Sequence, residues 1–222
     1  MKRILFVGVL LLLAVPIAYY FLGPQGKVKA LPVINPIDVQ QDMVDPEMLR
    51  IGKGHRVGAF RFQNQDAKWI TDADMRGRVS VVEYFFTTCK SICPIMNSQM
   101  ERIQKKFSGQ PDVRIFSFTV DPETDTVAQM KRCATQHHAK AGQWHFLTGE
   151  KSALYALARR SFFMLKPAEA QNLGDAGSDF IHTNNFVLID QKMRIRGYYD
   201  GTSPKEVSLL QAHIEQLLAD PQ

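Results

Sequence analysis

Two cysteines, Cys89 and Cys93, stand four positions apart in the stretch FFTTCKSICPIM, Phe85 to Met96, directly after an apolar run. Two thiols at that spacing can close a disulfide, which needs Cα atoms within about 7 Å, or hold a soft metal ion. Inert packing is the third possibility, since free cysteine behaves as a small hydrophobe, but a pair at a strand-to-helix junction is poorly placed for it. If a helix begins at about Cys89, the i, i+4 spacing puts both sulfurs on one face, beside backbone N–H groups without intrahelical partners. The helix dipole and the nearby charge of Lys90 favour thiolate over thiol, so both sulfurs are expected to ionise readily. The C-x-x-x-C spacing is one residue longer than the C-x-x-C of ordinary thiol oxidoreductases, which makes metal capture more plausible and leaves redox work open.

A third ligand would have to come from the six histidines. His182 lies in DFIHTNN, just before the strand-like NNFVLID. On local grounds it is a loop histidine, and spacing alone cannot bring it to the sulfurs. His137 and His138, with Lys140 nearby, read as a partly solvated C-terminal turn of a helix. His55, His145 and His213 have no cysteine or carboxylate neighbour that singles them out. Cys133 shares a helix with Met130 and reads as buried packing.

The elements that must position these residues follow from periodicity. VSVVEYFF, Val79 to Phe86, is a β-branched and aromatic run of the kind buried on both faces of a sheet. After the cysteines, Met96, Met100, Ile103 and Phe107 mark one face of a helix, with Pro94 suited to its first turn. VRIFSFTV, Val113 to Val120, is a second buried strand. DPETDT then leads into a helix carrying Val127, Met130, Ala134 and His137 on one side. A third strand around Trp144 to Leu147 precedes a helix from Lys151 to about Phe163. NNFVLID and MRIRGYY form an antiparallel hairpin. The last helix opens on the capping box Ser203-Pro204-Lys205-Glu206, with Val207, Leu210, Ile214 and Leu217 as its stripe. Val57 to Phe62 and Trp69-Ile70 suggest an entry hairpin. A central βαβ unit closed by a hairpin and a helix describes an α/β, thioredoxin-like sandwich.

The chain of 222 residues has room for one domain plus additional segments. It begins with Lys2 and Arg3 and then runs from Ile4 to Leu22 without a charge, roughly 28 Å as a helix and close to the thickness of a bilayer core. A cleaved signal peptide is the competing reading, but the run exceeds a usual h-region and no small-x-small site follows it. Residues 1–22 are therefore expected to be an N-terminal transmembrane anchor, 23–52, with four prolines, a linker, and 53–222 the folded domain. The two leading cations hold the N-terminus in the cytoplasm and send the domain across the membrane. A bacterial inner membrane with the domain in the periplasm is the simplest setting, and thiols there can be oxidised. Of the formal charge of +5, Lys2 and Arg3 account for two. The remaining excess is too weak and too scattered to argue for nucleic acid.

The order of an apolar anchor, a strand ending in FFTTCKSICP, the loop VDPETDT, WHFLTG and IHTNNFVLID resembles the Sco/SenC family of copper-binding proteins that serve cytochrome c oxidase assembly. The likeness covers roughly Gly58 to the C-terminus. It implies a thioredoxin-like fold and copper, as Cu(I) or Cu(II), on two cysteines and one histidine, whose positions here are Cys89, Cys93 and His182. The implied function is a membrane-tethered copper chaperone that delivers copper to the dinuclear site of the oxidase, with thiol-disulfide oxidoreductase activity left open. Its implied partners are the oxidase's copper-site subunit and a further copper chaperone or thioredoxin-like reductase. The alternatives are a thiol-disulfide reductase, with Cys89 and Cys93 as its redox-active pair, that keeps the oxidase cysteines reduced, or a redox sensor. Asp121, Pro122 and Asp125 of VDPETDT match the family's loop beside the site, and the two carboxylates read as loop and cap residues first. The chain departs from many relatives in carrying Lys90-Ser91-Ile92 where they have an acidic residue. A cation there favours thiolate but disfavours an approaching copper ion.

Overall fold

Seven strands form one sheet, in the order β2-β1-β5-β4-β3-β8-β9. A computed structural model describes residues 30–40, 43–167, 180–182 and 184–219. At the centre of the sheet β3 (Val79–Phe85), β4 (Val113–Thr119) and β5 (Trp144–Thr148) run parallel. Their apolar runs are continuous because both faces are covered. β1 (Arg61–Asn64) and β2 (Trp69–Thr71) extend one edge and β8 (Asn185–Ile189) and β9 (Ile195–Asp200) the other, all antiparallel to their neighbours. The helices are α1 (Cys93–Lys106), α2 (Val127–Gln136), α3 (Lys151–Leu157) and α4 (Pro204–Ala219). β6 (Leu165–Pro167) and β7 (Phe180–His182) make a separate antiparallel pair with Leu165 opposite His182. These are the strands, helices and hairpins expected of a thioredoxin-like α/β fold.

The two-residue period of β3 divides the core. Val79, Val81 and Phe85 meet Met96, Met100 and Ile103 of α1, Met130 of α2 and the α4 stripe Val207, Leu210, Ile214 and Leu217. Val82 and Tyr84 face the opposite core, with Phe116, Phe118, Leu154, Leu157 and Phe162. Each such side chain contributes about 1.5–3 kcal/mol on full burial. α1 is therefore held against β3 along its length, and the loop between them has little freedom. The helix expected from Lys151 to about Phe163 changes character part-way: α3 ends at Leu157 and a π-helical turn, Ala158–Phe162, follows.

The expected linker needs correction. The compact unit begins at Leu31 rather than at 53. Ile34 bridges to Ile195 of β9, donating its N–H at 2.9 Å. Buried Arg196 donates to the carbonyls of Leu31 and Pro32 and to Asp190 at 2.8 Å. Asn35 Oδ1 accepts from the N–H groups of Gly54 and His55. Met43 and Val44 are buried, and Asp45 pairs with Arg159 at 2.6 Å. Residues from 31 onward thus belong to the domain, laid on it by side-chain bonds that carry no sequence period. The apolar run 4–22 and most of 23–30 lie outside the described residues, as does 168–179. Among the described residues no helix is long and apolar enough to cross a membrane.

Candidate metal and thiol site

The cysteine loop leaves the C-terminal end of β3 and enters α1. The helix begins at Cys93, with Pro94 in its first turn, so Cys89 lies in the loop and not on a shared helical face. The loop reaches the same result by a different route: the Cys93 N–H donates to Cys89 Sγ at 3.5 Å, and Ser91 Oγ lies 3.7 Å from that sulfur. Cys89 therefore accepts a hydrogen bond from the first residue of the helix, a position whose N–H lacks an intrahelical partner. All three cysteines are free thiols.

The two sulfurs are not equivalent. Burial alone raises Cys89, but hydrogen bonds from the Cys93 thiol, the Cys93 N–H and Ser91 outweigh it and hold this half-buried thiol below its ordinary value. Cys93 is 2% exposed, and burial pushes it well above the ordinary range. The bond it donates to Cys89 and the charges of Cys89 and Glu83 push the same way, against a weaker backbone bond with Phe86. The expectation that both ionise readily holds for Cys89 and fails for Cys93, because the second sulfur sits in the core. Hydrogen bonds, not Lys90, account for the lowering at Cys89.

The approach to Cys89 is pinned from VDPETDT. Asp125 is fully buried and accepts from the Thr87 N–H through both oxygens, at 3.3 and 3.2 Å, from the Thr87 hydroxyl, and from Thr119 Oγ1 at 2.5 Å. Gln129 of α2 donates to Thr87 Oγ1 at 3.1 Å. Burial raises the Asp125 carboxyl, a rise these bonds only partly offset. The cap of α2 is Thr126, so Asp125 is a clamp on the residue two before Cys89 and not a cap.

His182 ends β7, and β8 runs antiparallel to β3 in the register Ser80↔Ile189, Val81↔Leu188, Val82↔Val187. The start of β8 is thus at the end of β3 from which the cysteine loop departs, and the backbone at His182, three residues earlier, enters the fold at that end. Among the described residues no group of three or more His, Cys, Asp or Glu side chains is arranged to hold a metal. Three other histidines are engaged away from the cysteines. His55 and His145 are buried on Ser161 and Asn64, and His213 bonds to Tyr199.

Two features escaped the sequence reading. Glu83, at 0% exposure in the middle of β3, accepts from Ser117 Oγ at 2.5 Å with one oxygen, and its other oxygen has no partner among the described residues. Burial pushes it up to about 7. A lone carboxylate in VSVVEYFF was the available signal. The second is a cleft of about 310 Å³ between α1 and α2 that opens beside Cys89 and Cys93 and also reaches Cys133 and His137. Cys133 is buried as expected, with burial and nearby carboxylates raising it to about 12, yet it lines the same cleft as the pair.

With the site in view, the likeness to known proteins can be stated. The SCO1/SenC family model matches residues 50–219. The SCO1 protein homolog of Bacillus subtilis is 36% identical over 149 residues, covering 66% of this chain and 75% of that protein. The solved BsSco, described as having a disulfide switch and as a member of the Sco family of cytochrome c oxidase assembly proteins, superposes with a TM-score of 0.62 at 31% identity, over 73% of this chain and 93% of that one. Bradyrhizobium japonicum ScoI, solved with copper bound, gives a TM-score of 0.55 at 21% identity, over 73% and 99%, a likeness of fold alone. The matched span contains both cores, the cysteine loop and His182, and on that breadth the chain belongs to the SCO1/SenC family.

Proposed function

We propose that this protein carries copper for the assembly of a cytochrome c oxidase, taking the ion on Cys89 and Cys93 with His182 as the third ligand. In this reading residues 4–22 anchor it in a bacterial inner membrane with the domain in the periplasm. The observation that carries the proposal is the contact between Cys89 in the loop after β3 and Cys93 at the first turn of α1, where the Cys93 N–H donates to Cys89 Sγ at 3.5 Å. Thiolates suit Cu(I), and an added imidazole accommodates Cu(II). Ligation requires Cys93 to give up a proton that burial makes hard to remove, so copper uptake is coupled to proton release. Delivery to the oxidase's copper-site subunit then proceeds by ligand exchange with its cysteines. Copper titration of the reduced protein tests this: one ion per chain is expected, weakened in Cys93→Ser and in His182→Ala. Absence of stoichiometric binding by the wild type refutes it.

The inequality of the thiols favours a second activity, thiol-disulfide exchange on the oxidase cysteines. The half-buried Cys89, as thiolate, attacks one sulfur of a client disulfide, forming a mixed disulfide and releasing the first client thiolate. Cys93 then loses its proton and attacks Cys89 Sγ, releasing the second client thiolate and leaving a Cys89–Cys93 disulfide. The client gains two electrons and this protein loses them. Failure of the reduced protein to reduce an oxidised copper-site peptide would exclude this activity.

A further inference from the structure

The cleft between α1 and α2 is polar where packed helices are ordinarily apolar. Cys93, Asn97 and Glu101 are spaced by four residues along α1, so they form one stripe, distinct from the Met96, Met100 and Ile103 stripe on the sheet. Opposite them α2 presents Arg132, Cys133 and Gln136 to the same cleft. Asn97 and His137 also line the cleft: Asn97 Nδ2 meets His137 Nε2 at 3.1 Å, and His137 Nδ1 meets the carboxylate of Glu101, which is not among the lining residues, at 2.7 Å. In the neutral imidazole a carboxylate on Nδ1 requires the proton there, which makes Nε2 an acceptor and turns the Asn97 amide N–H toward it. The carbonyl Oδ1 of Asn97 is left over. Asn97 is 5% exposed, and this oxygen is buried with no partner among the described residues. A buried carbonyl without a donor is costly to keep, and here it lies one helical turn beyond Cys93. Gln136 and Arg132, both exposed, supply donors on the facing wall.

We propose that this cleft is a peptide-binding groove that seats an extended, cysteine-bearing segment of the partner protein. The Asn97 amide turns its buried Oδ1 outward to accept from a partner backbone N–H, Gln136 and the Nη1 of Arg132, whose Nε and Nη2 are held on Gln129 Oε1, donate to partner carbonyls, and the partner cysteine meets Cys89. The dimensions agree. From Cys93 to Asn97, the α1 residues that line the cleft, the helix advances roughly 6 Å, the reach of two extended residues at about 3.3 Å each. The chemistry also agrees, because an acceptor on one wall and donors on the other match the two hydrogen-bonding groups of a peptide unit. The proposal rests on the reading that a cysteine-bearing partner engages Cys89, and it assigns where the rest of that partner lies.

The test uses the full-length, metal-free Cys93→Ser protein, in which exchange stops after one step. Cys89 thiolate attacks a disulfide, one sulfur is retained as a mixed disulfide and one thiolate leaves. The probes are the symmetrical disulfide of the blocked heptapeptide Ser-Ala-Gly-Cys-Gly-Ala-Ser and the disulfide of N-acetylcysteine methylamide, which lacks the flanking peptide. Rates are followed by mass spectrometry localised to Cys89. The peptide is expected to react about tenfold faster, the effect of a few net hydrogen bonds. Adding Asn97→Leu, or Gln136→Ala with Arg132→Ala, is expected to bring the ratio toward one while the small disulfide reacts at its former rate. Equal rates for the two probes, or a ratio that survives both sets of substitutions, overturn the groove. If Asn97→Leu fails to fold, the exposed pair on α2 decides alone. Copper takes no part in the assay, so a protein that binds no copper but keeps the ratio refutes copper carriage and leaves the groove standing.

Discussion

Replacing Glu83 by Gln should remove a pH dependence that the wild-type fold carries in its central strand. Glu83 is fully buried, one oxygen accepts from Ser117 Oγ, and that hydroxyl accepts in turn from Trp144 Nε1 at 2.8 Å. Among the described residues no cation compensates it, and burial raises it from the ordinary 4.5 to about 7. At about 1.36 kcal/mol per pH unit, that displacement is worth about 3 kcal/mol. The folded-state value lies above the unfolded one, so the stabilisation from the bound proton is complete below about pH 4.5 and is lost as the pH rises through 7. Wild-type protein should therefore lose about 3 kcal/mol more than Glu83→Gln between pH 5 and pH 9, while near pH 5 the two differ little. For a domain of this size that is roughly 6–12 °C in Tm. Urea denaturation of reduced, metal-free protein at several pH values is the assay, with the difference between the two proteins cancelling all other titrating groups. The same charge raises Cys93 and Cys133, so alkylation of both above pH 7 should be faster in the variant. Parallel pH-stability curves for the two proteins would refute the reasoning.

Three further outcomes are expected. Asp125→Ala should cost about 2–4 kcal/mol, since it strips Thr87 and Thr119 of a buried acceptor, and should alter the alkylation rate of Cys89 through the freed loop. His145, lowered by burial to about 4, contributes stability that is present above about pH 6.5 and lost as the pH falls through 4. His145→Gln should therefore flatten acid denaturation by about 3 kcal/mol in pH titrations of stability. Arg196→Met should cost about 3 kcal/mol, as it leaves buried Asp190 with Arg194 alone, and should open the backbone near Leu31 and Pro32 to limited proteolysis, with stability largely restored by adding Asp190→Asn.

What could be read from the chain was whatever repeats with the period of its element. β3, β4 and the stripes of α1 and α4 declare themselves because their burial is regular, and the cysteine pair falls at their junction. Pro94 marked the first turn of α1 correctly, and what spacing could not show is that Cys89 lies before the helix and reaches Cys93 through the loop. Residues 31–51 were read as a tether because prolines suppress a period equally in a free strand of chain and in one laid along a surface. What holds them, Arg196 on two carbonyls and Asn35 on two N–H groups, is tertiary and leaves no trace in spacing. Asn97, Glu101 and His137 belong to two helices, and only the packing of α1 against α2 joins them.

The opposed shifts at Cys89 and Cys93 bear on how the two proposed activities would share one site. Exchange is helped by unequal thiols, one lowered and half-buried that attacks and one raised by burial that resolves, and the metal-free fold shifts Cys89 and Cys93 in those two directions. Copper ligation needs both sulfurs deprotonated, and the obstacle is the proton on Cys93, kept there by burial and by the negative charges of Cys89 and Glu83. A cation bound at Cys89 reverses the second of these influences, since it replaces a neighbouring negative charge by a positive one. On this account the proton on Cys93 is the variable that separates a thiol ready for exchange from a second copper ligand, held first by burial and by the bond with Cys89, with the charge of Glu83 a smaller addition.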